Sequence, residues 1–105
     1  MNNEDLLITK ENNPAGVRFF IKGLINYINA PAFQDEMDEA LKKGQIKIIL
    51  NMSHAEYLCS SGVRVILKTY KEAVKAGGNL AIEEPSEHVK KVLSMLAIDE
   101  MLIRP

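Results

Sequence analysis

Residues 46–63 of this 105-residue chain read IKIILNMSHAEYLCSSGV, and they predict a buried strand that leads directly into a helix. The first seven, residues 46–52, are rich in β-branched side chains and almost wholly apolar, as in a strand covered on both faces. Apolar residues then recur at helical spacing, which predicts a helix from about residue 60 to residue 76. Its apolar stripe consists of Val63, Ile66, Leu67, Tyr70 and Val74.

The residues before this segment predict a hairpin and a first helix. Strands at residues 6–9 and 17–21 flank the turn residues 12–16, a spacing typical of an antiparallel hairpin. Helical periodicity covers residues 31–43, with Pro31 suited to the first turn and Asn29 as a candidate cap. Acidic residues in its first half and lysines at its end follow the charge order that the helix dipole favours.

The residues after the segment predict one more strand and one more helix. Gly77 and Gly78 end the second helix, and residues 80–82 form a strand. Ser86 is the expected cap of a third helix. The apolar stripe of that helix is Val89, Val92, Leu93 and Leu96, and residues 101–103 form a last strand or an extended tail.

The predicted order is therefore β-β-α-β-α-β-α with a possible last β, in a single domain over residues 1–105. Strands that alternate with helices require parallel pairing and right-handed crossovers. The expected fold class is α/β, with a mixed sheet that is mostly parallel, has one antiparallel N-terminal hairpin and packs against helices.

Composition excludes several classes of protein. The chain has 13 lysines and arginines against 14 acidic residues, a net charge of -1, so neither nucleic acid nor an anionic membrane is an expected partner. No apolar run approaches the roughly 20 residues that span a bilayer, so no membrane insertion is expected. The polar N-terminus is unlike a signal peptide, and the single cysteine cannot form an internal disulfide. We expect a cytoplasmic protein.

Common catalytic and metal-binding patterns are missing from the sequence. Gly77 and Gly78 follow a helix, whereas phosphate loops precede one. His54 and His88 have no metal ligands at suitable spacing, and a nucleophilic pair of Cys59 with His54 would lack an orienting group. We therefore expect no catalytic residue, no metal and no cofactor. The glycosylation pattern at residues 51–53 ends a predicted core strand and is taken as a chance match.

The most informative stretch is residues 57–62, YLCSSG, at the junction between the central strand and the second helix. Ser60 and Ser61 lie where backbone N–H groups are unpaired and the helix dipole is positive, a position that accepts a phosphate well. The alternative is that one of these serines is only an N-cap, worth about 1 kcal/mol. Tyr57, Leu58 and Val63 would form an apolar patch around the site.

Several stretches together resemble the STAS domain family, specifically the stand-alone anti-sigma-factor antagonists of bacteria. They are residues 48–53 (IILNMS), 57–63 (YLCSSGV), 70–71 (YK), 77–80 (GGNL) and 89–93 (VKKVL). The resemblance implies a STAS-type sheet and a non-enzymatic interaction module. It also implies phosphorylation of Ser60 by an anti-sigma factor that is a serine kinase, with a phosphatase that resets the cycle.

Three residues depart from the family pattern. Cys59 and Asn26 stand where the family has aspartates, and Arg64 stands where it often has glycine. Arg64 lies four residues after Ser60, within reach of a phosphate there. We expect the partner-binding surface to consist of Asn26, Cys59, Ser60, Ser61, Gly62 and Arg64. The neutral replacements also permit an alternative, a STAS subunit of a transporter accessory complex or of a stressosome-like scaffold, in which no kinase acts on Ser60.

Sulfur-containing side chains have mostly structural interpretations. Cys59 could respond to oxidants at a helix N-terminus, although a small buried hydrophobe is the commoner role of a lone cysteine. The methionines expected to fill the core are Met37, Met52, Met95 and Met101.

Overall fold

The computed structural model describes residues 5–104 and consists of a four-stranded sheet with helices. Its elements, in chain order, are β1 (Leu6–Asn13), β2 (Gly16–Ile25), α1 (Ala30–Lys42), β3 (Lys47–Leu58), α2 (Ser60–Lys75), β4 (Asn79–Glu83), α3 (Glu87–Met95) and α4 (Asp99–Leu102). The strand order is β1-β2-β3-β4, antiparallel between β1 and β2 and parallel elsewhere. The predicted mixed sheet with one antiparallel hairpin is confirmed.

The hairpin turn is fixed by a side chain. Asn13 Oδ1 accepts hydrogen bonds from the backbone N–H groups of Ala15 at 3.0 Å and Gly16 at 2.7 Å. This Asx turn closes the hairpin, and both strands run farther than the predicted residues 6–9 and 17–21. Gly16 has no room for a side chain, because an added Cβ would lie 1.9 Å from the carbonyl oxygen of Lys47.

β3 extends six residues beyond the predicted end at Met52. Its second half continues to pair with β2, from Lys22 beside His54 to Ile25 beside Leu58. One register shift precedes Lys22, and a second lies between Gly23 and Leu24. These shifts interrupt the alternation of buried and exposed residues along β3. The second half is also rich in polar residues, so its sequence does not show the pattern of a strand. The extension carries β3 to the residue immediately before Cys59.

A single hydrophobic core lies between the sheet and the helices. It combines buried residues of all four strands with residues from each helix, among them Phe33, Ile66, Leu93 and Leu102. The prediction that residues 46–52 are covered on both faces is wrong, because Lys47 and Ile49, which alternate with core residues, remain exposed or partly exposed, as does Phe20 on the neighbouring β2. One sheet face is therefore packed and the other is largely open.

Several predicted core positions at the helix ends are exposed instead. Val74 and Leu96 complete their apolar stripes in sequence, yet 45% and 53% of their surfaces remain accessible. Met37 and Met52 are fully buried as predicted, whereas Met95 and Met101 are exposed. Helical periodicity identifies the apolar face of a helix. It does not show how far along the helix that face is covered by the rest of the protein.

Residues 103 and 104 pair with part of the outer edge of β4. Residues 101–103 are not a regular strand: α4 includes Met101 and Leu102, and only Ile103 makes a parallel bridge, to Ile82 of β4. The Arg104 N–H donates to the carbonyl of Ile82 at 2.8 Å. At the opposite edge, β1 is the outer strand.

Ser86 caps α3 as predicted. Its hydroxyl accepts a hydrogen bond from the Val89 N–H at 3.2 Å and donates one to the carbonyl of Ala55 at 2.6 Å. The Ser86 side chain thus caps the start of α3 and links it to β3.

Candidate functional site

The carboxyl ends of β2 and β3 meet at the start of α2. Ile25 pairs with Leu58, and the residue after β3, Cys59, donates its N–H to the Ile25 carbonyl at 3.0 Å. Ser60 follows as the first residue of α2 and is exposed. The predicted position of Ser60 at an accessible helix N-terminus is therefore confirmed.

Cys59, rather than either serine, is the N-cap of α2. Its backbone is extended, with φ -83° and ψ 171°, and its Sγ accepts a hydrogen bond from the Gly62 N–H at 3.4 Å. The alternative in which Ser60 or Ser61 caps the helix is wrong, because both lie inside its first turn. Ser60 therefore does not cap the helix, and it lies exposed in the first turn, at the positive end of the helix dipole.

Gly62 allows α2 to approach the sheet closely. A Cβ on Gly62 would lie 2.7 Å from both Ile25 Cγ2 and Leu58 Cδ1, which are core side chains of the two strands beneath it. Gly62 is itself buried. Among the predicted binding residues it therefore acts through packing, by setting the depth at which Ser60 is presented.

The loop after β2 is held by two asparagines that bind each other. Asn26 Oδ1 accepts from the N–H groups of Ile28 and Asn29, both at 3.0 Å, and Asn29 Oδ1 accepts from the Asn26 N–H at 2.9 Å. Asn29 Nδ2 also donates to the Leu24 carbonyl at 2.9 Å. Asn29 is the N-cap residue of α1, as predicted, but its side chain makes no capping hydrogen bond and is bonded to this loop instead.

The exposed apolar residues beside Ser60 differ from those predicted. Leu58 and Val63 belong to the core, at 3% and 5% exposure, and only Tyr57 is exposed, with its ring 5.2 Å from that of His88. Instead, Tyr27 and Ile28 project from the asparagine-held loop at 75% and 64% exposure. Two large apolar residues between Asn26 and Asn29, in a segment of turn residues, are the sequence signal for this pair.

Arg64 lies one helical turn after Ser60 and is exposed. Within residues 5–104 it forms no ion pair, so its guanidinium is available to an anion at the start of the helix. Ser61 is half-buried on the same turn. The structure thus brings Asn26, Cys59, Ser60 and Arg64 to one end of the molecule.

Other candidate groups have structural partners. His54 Nδ1 lies 3.0 Å from Ser53 Oγ on β3. Asn51, the residue in the glycosylation pattern, is buried and donates from Nδ2 to Glu83 Oε2 at 3.0 Å. In the part of the chain from Asp5 to Arg104, no group of three or more histidine, cysteine or acidic side chains is placed to hold a metal ion. None of the helices over the same residues has the length and apolar character needed to cross a membrane.

Comparison with known proteins gives one consistent family. The family model for the STAS domain matches residues 7–105. A Thermotoga neapolitana protein, provisionally named an anti-sigma factor antagonist, is 35% identical over 79 residues, which are 74% of this chain and 70% of that protein. Four of the curated relatives are matched over 65% to 71% of their own lengths.

Solved structures have the same fold. An anti-sigma factor antagonist from Mycobacterium paratuberculosis aligns with a TM-score of 0.83 at 16% identity, covering 97% of this chain and 87% of that one. The phosphorylated form of SpoIIAA, a Bacillus cell fate determinant, aligns with a TM-score of 0.76 at 19% identity, over 92% and 89% of the two chains. At these identities the likeness concerns the fold alone.

Proposed function

Because this chain belongs to the STAS domain family, we propose that it is an anti-sigma factor antagonist whose contact surface is centred on Ser60. The names of its relatives support this function, and so does the exposed position of Ser60 at the start of α2. In this proposal the protein is a binding module, and its partner is an anti-sigma factor. Binding of the antagonist would release the sigma factor.

The single observation that carries the proposal is that Ser60 is exposed while a neighbouring side chain caps the helix. Since Cys59 Sγ accepts the Gly62 N–H, a modification of the Ser60 hydroxyl would leave the cap intact. A phosphate would add about two negative charges and several strong acceptors at this point. It would therefore alter the surface offered to a partner while the sheet and helices stay in place.

Regulation by a serine kinase follows as the second part of the proposal. The anti-sigma factor would transfer a phosphate to Ser60, and a phosphatase would remove it. Arg64 would pair with the phosphate from the next helical turn. In the unphosphorylated protein Arg64 would face the partner, so one side chain would contribute to both states.

Aspartate at position 60 tests the proposal. Ser60→Asp should weaken binding to the anti-sigma factor of the source organism by about tenfold, since it imitates part of the phosphate charge. Ser60→Ala should bind like the wild type. Ser94→Asp is the matched control, because Ser94 is an exposed serine on α3. Equal affinity of the Ser60→Asp protein and the wild type, measured by calorimetry, would contradict the proposal.

A second candidate function is a scaffold or transporter-associated STAS subunit without phosphorylation. Cys59 and Asn26 favour it, because they stand at the positions where the resemblance to the phosphorylated antagonists implies aspartates. Intact-mass measurement on protein from its native host separates the two candidates. A species heavier by one phosphate at Ser60 supports switching, and its absence in growing and stressed cells supports the scaffold.

A further inference from the structure

The exposed face of α2 carries a row of cations that begins one turn after Ser60. At about 100° per residue, Arg64, Lys68, Lys71 and Lys75 lie within roughly 60° of one another around the helix axis, and Ser60 lies next to them. All four cations are exposed. We call Arg64, Lys68, Lys71 and Lys75 the basic row.

No cation of the basic row forms an ion pair with a residue that the structure describes. Among residues 5–104, the cations that form ion pairs are Arg18, Lys43, Lys90 and Arg104, none of which belongs to the row. Glu72 is the one acidic residue of α2, and it forms no ion pair with the row. Four like charges on one helical face repel one another slightly in the isolated helix, and a partner of opposite charge would relieve that repulsion.

The opposite face of α2 is buried and determines which side chains point outward. Val63, Ile66, Thr69 and Ala73 are buried against the sheet and α1, which fixes the rotation of the helix. The basic row is therefore held pointing outward on a rigid element that starts at Ser60. A partner seated on Ser60 and extending along α2 would meet these side chains in sequence.

The surroundings of the row favour an acidic protein surface over a polyanion. α1 packs beside α2, and it and its C-cap expose Asp35, Asp38 and Glu39 against Lys42 and Lys43, a net negative charge that disfavours a nucleic acid or an anionic bilayer lying across both helices. The chain as a whole has a net charge of -1. A protein can confine its carboxylates to the line of the row, whereas a bilayer or a duplex cannot.

We propose that the basic row docks the anti-sigma factor through a complementary row of carboxylates on that partner, an inference that rests on the proposed function. Exposed charges of this kind act mainly by steering association and by selecting a partner of the right charge pattern. A phosphate on Ser60 would place negative charge at the head of the row, where it would repel the partner's carboxylates and draw Arg64 toward itself. The same surface would then supply both partner choice and sensitivity to phosphorylation.

The test compares two pairs of lysines. Lys68→Gln with Lys71→Gln removes the middle of the row, and Lys90→Gln with Lys91→Gln, on the exposed face of α3, is the matched control. Glutamine is a good helix former, so both double variants should fold, which thermal melting by circular dichroism checks. Binding of the anti-sigma factor is measured at about 50 mM and about 500 mM salt, where screening is weak and strong respectively.

At low salt the row variant should bind roughly threefold to tenfold more weakly than the wild type, mostly through slower association, and the difference should shrink at high salt. The control variant should match the wild type within about twofold. Equal affinity and equal salt dependence of the row variant and the wild type would overturn the inference while leaving the proposed function standing. No binding of the anti-sigma factor by the wild type would overturn both.

Two further probes separate the protein partner from other anions. A duplex DNA and vesicles containing phosphatidylserine are offered to the same proteins. Binding of either probe by the wild type and loss of that binding in the row variant, with unchanged binding of the anti-sigma factor, would overturn the inference in favour of that anion. Weak binding of both probes by all variants supports it.

Discussion

At the scale of single residues, the N-cap of α2 is filled by a neutral thiol at position 59. The Cys59 thiol caps α2 through a 3.4 Å contact from the Gly62 N–H, and sulfur is a weak acceptor. A carboxylate at the same position would accept the same hydrogen bond more strongly and would also face the helix dipole favourably. The cysteine of this chain and an aspartate at the same position can therefore serve the same local structure.

Cys59→Asp should accordingly raise the free energy of unfolding by about 0.5–1 kcal/mol. Cys59→Ala should lower it by a similar amount, because the Gly62 N–H loses its side-chain acceptor. Urea denaturation of both variants measures the effect. A Cys59→Asp protein that unfolds at a lower urea concentration than the wild type would contradict the assignment of this residue as the cap.

At the scale of the elements, α1, α2 and α3 begin at three different kinds of N-cap residue. α3 begins at a serine cap, α2 at a thiol, and α1 at Asn29, whose side chain serves the preceding loop. Near its C-terminus α1 has an ion pair between Glu39 Oε1 and Lys43 Nζ at 3.1 Å. The hydrogen bond from Lys43, together with the charges of Lys43 and Lys10, lowers the pKa of Glu39 below its ordinary value.

Lys43→Gln should therefore raise the pKa of Glu39 toward its ordinary value, as followed by NMR titration of the side chain. Since the pKa is lowered on folding, the pair stabilises the protein at pH values above the ordinary glutamate range. That contribution is lost as the pH falls through the lowered value. Lys42→Gln, a change of an exposed lysine next in sequence, should leave the titration unchanged, and an equal shift in both variants would argue against the specific contact.

At the scale of the whole molecule, the open face of the sheet is held by one polar network. Glu83 of β4 forms ion pairs with Arg18 of β2, whose Nε lies 2.9 Å from Oε2, and with Arg104 of the C-terminal segment at 3.5 Å. Its carboxylate accepts hydrogen bonds from Arg18 Nη2 at 3.4 Å and from Asn51 Nδ2 of β3 at 3.0 Å. Arg18 also reaches Glu11 of β1 at 3.3 Å. A single carboxylate thus connects strands that are distant in sequence, and 17% of its side chain remains accessible.

Glu83→Ala should lower the free energy of unfolding by about 1–3 kcal/mol, since Arg18 and Asn51 would each lose a partner in a part-buried position. Glu87→Ala is the control, because Glu87 is exposed on α3 and makes only a 3.7 Å ion pair with Lys90. The two are compared by urea denaturation. A Glu83→Ala protein as stable as the control would mean that the network contributes nothing to the fold.

The sequence by itself determined the order of the first seven elements, most of their helix ends to within one or two residues, the hairpin, the Ser86 cap and the place of Ser60. These features depend on local periodicity, turn chemistry and capping, which act over a few residues. Only the tertiary structure decided that Cys59 caps α2, that Leu58 and Val63 are buried and that Tyr27 and Ile28 are exposed. It also turned residues 101 and 102 into a helix and extended β3 to Leu58. The burial, the exposure and the length of β3 depend on pairing or packing between residues far apart in the chain, which a local sequence pattern does not contain. The Cys59 cap is a local contact, but pairing with β2 holds Cys59 beside Ile25 at the start of the helix.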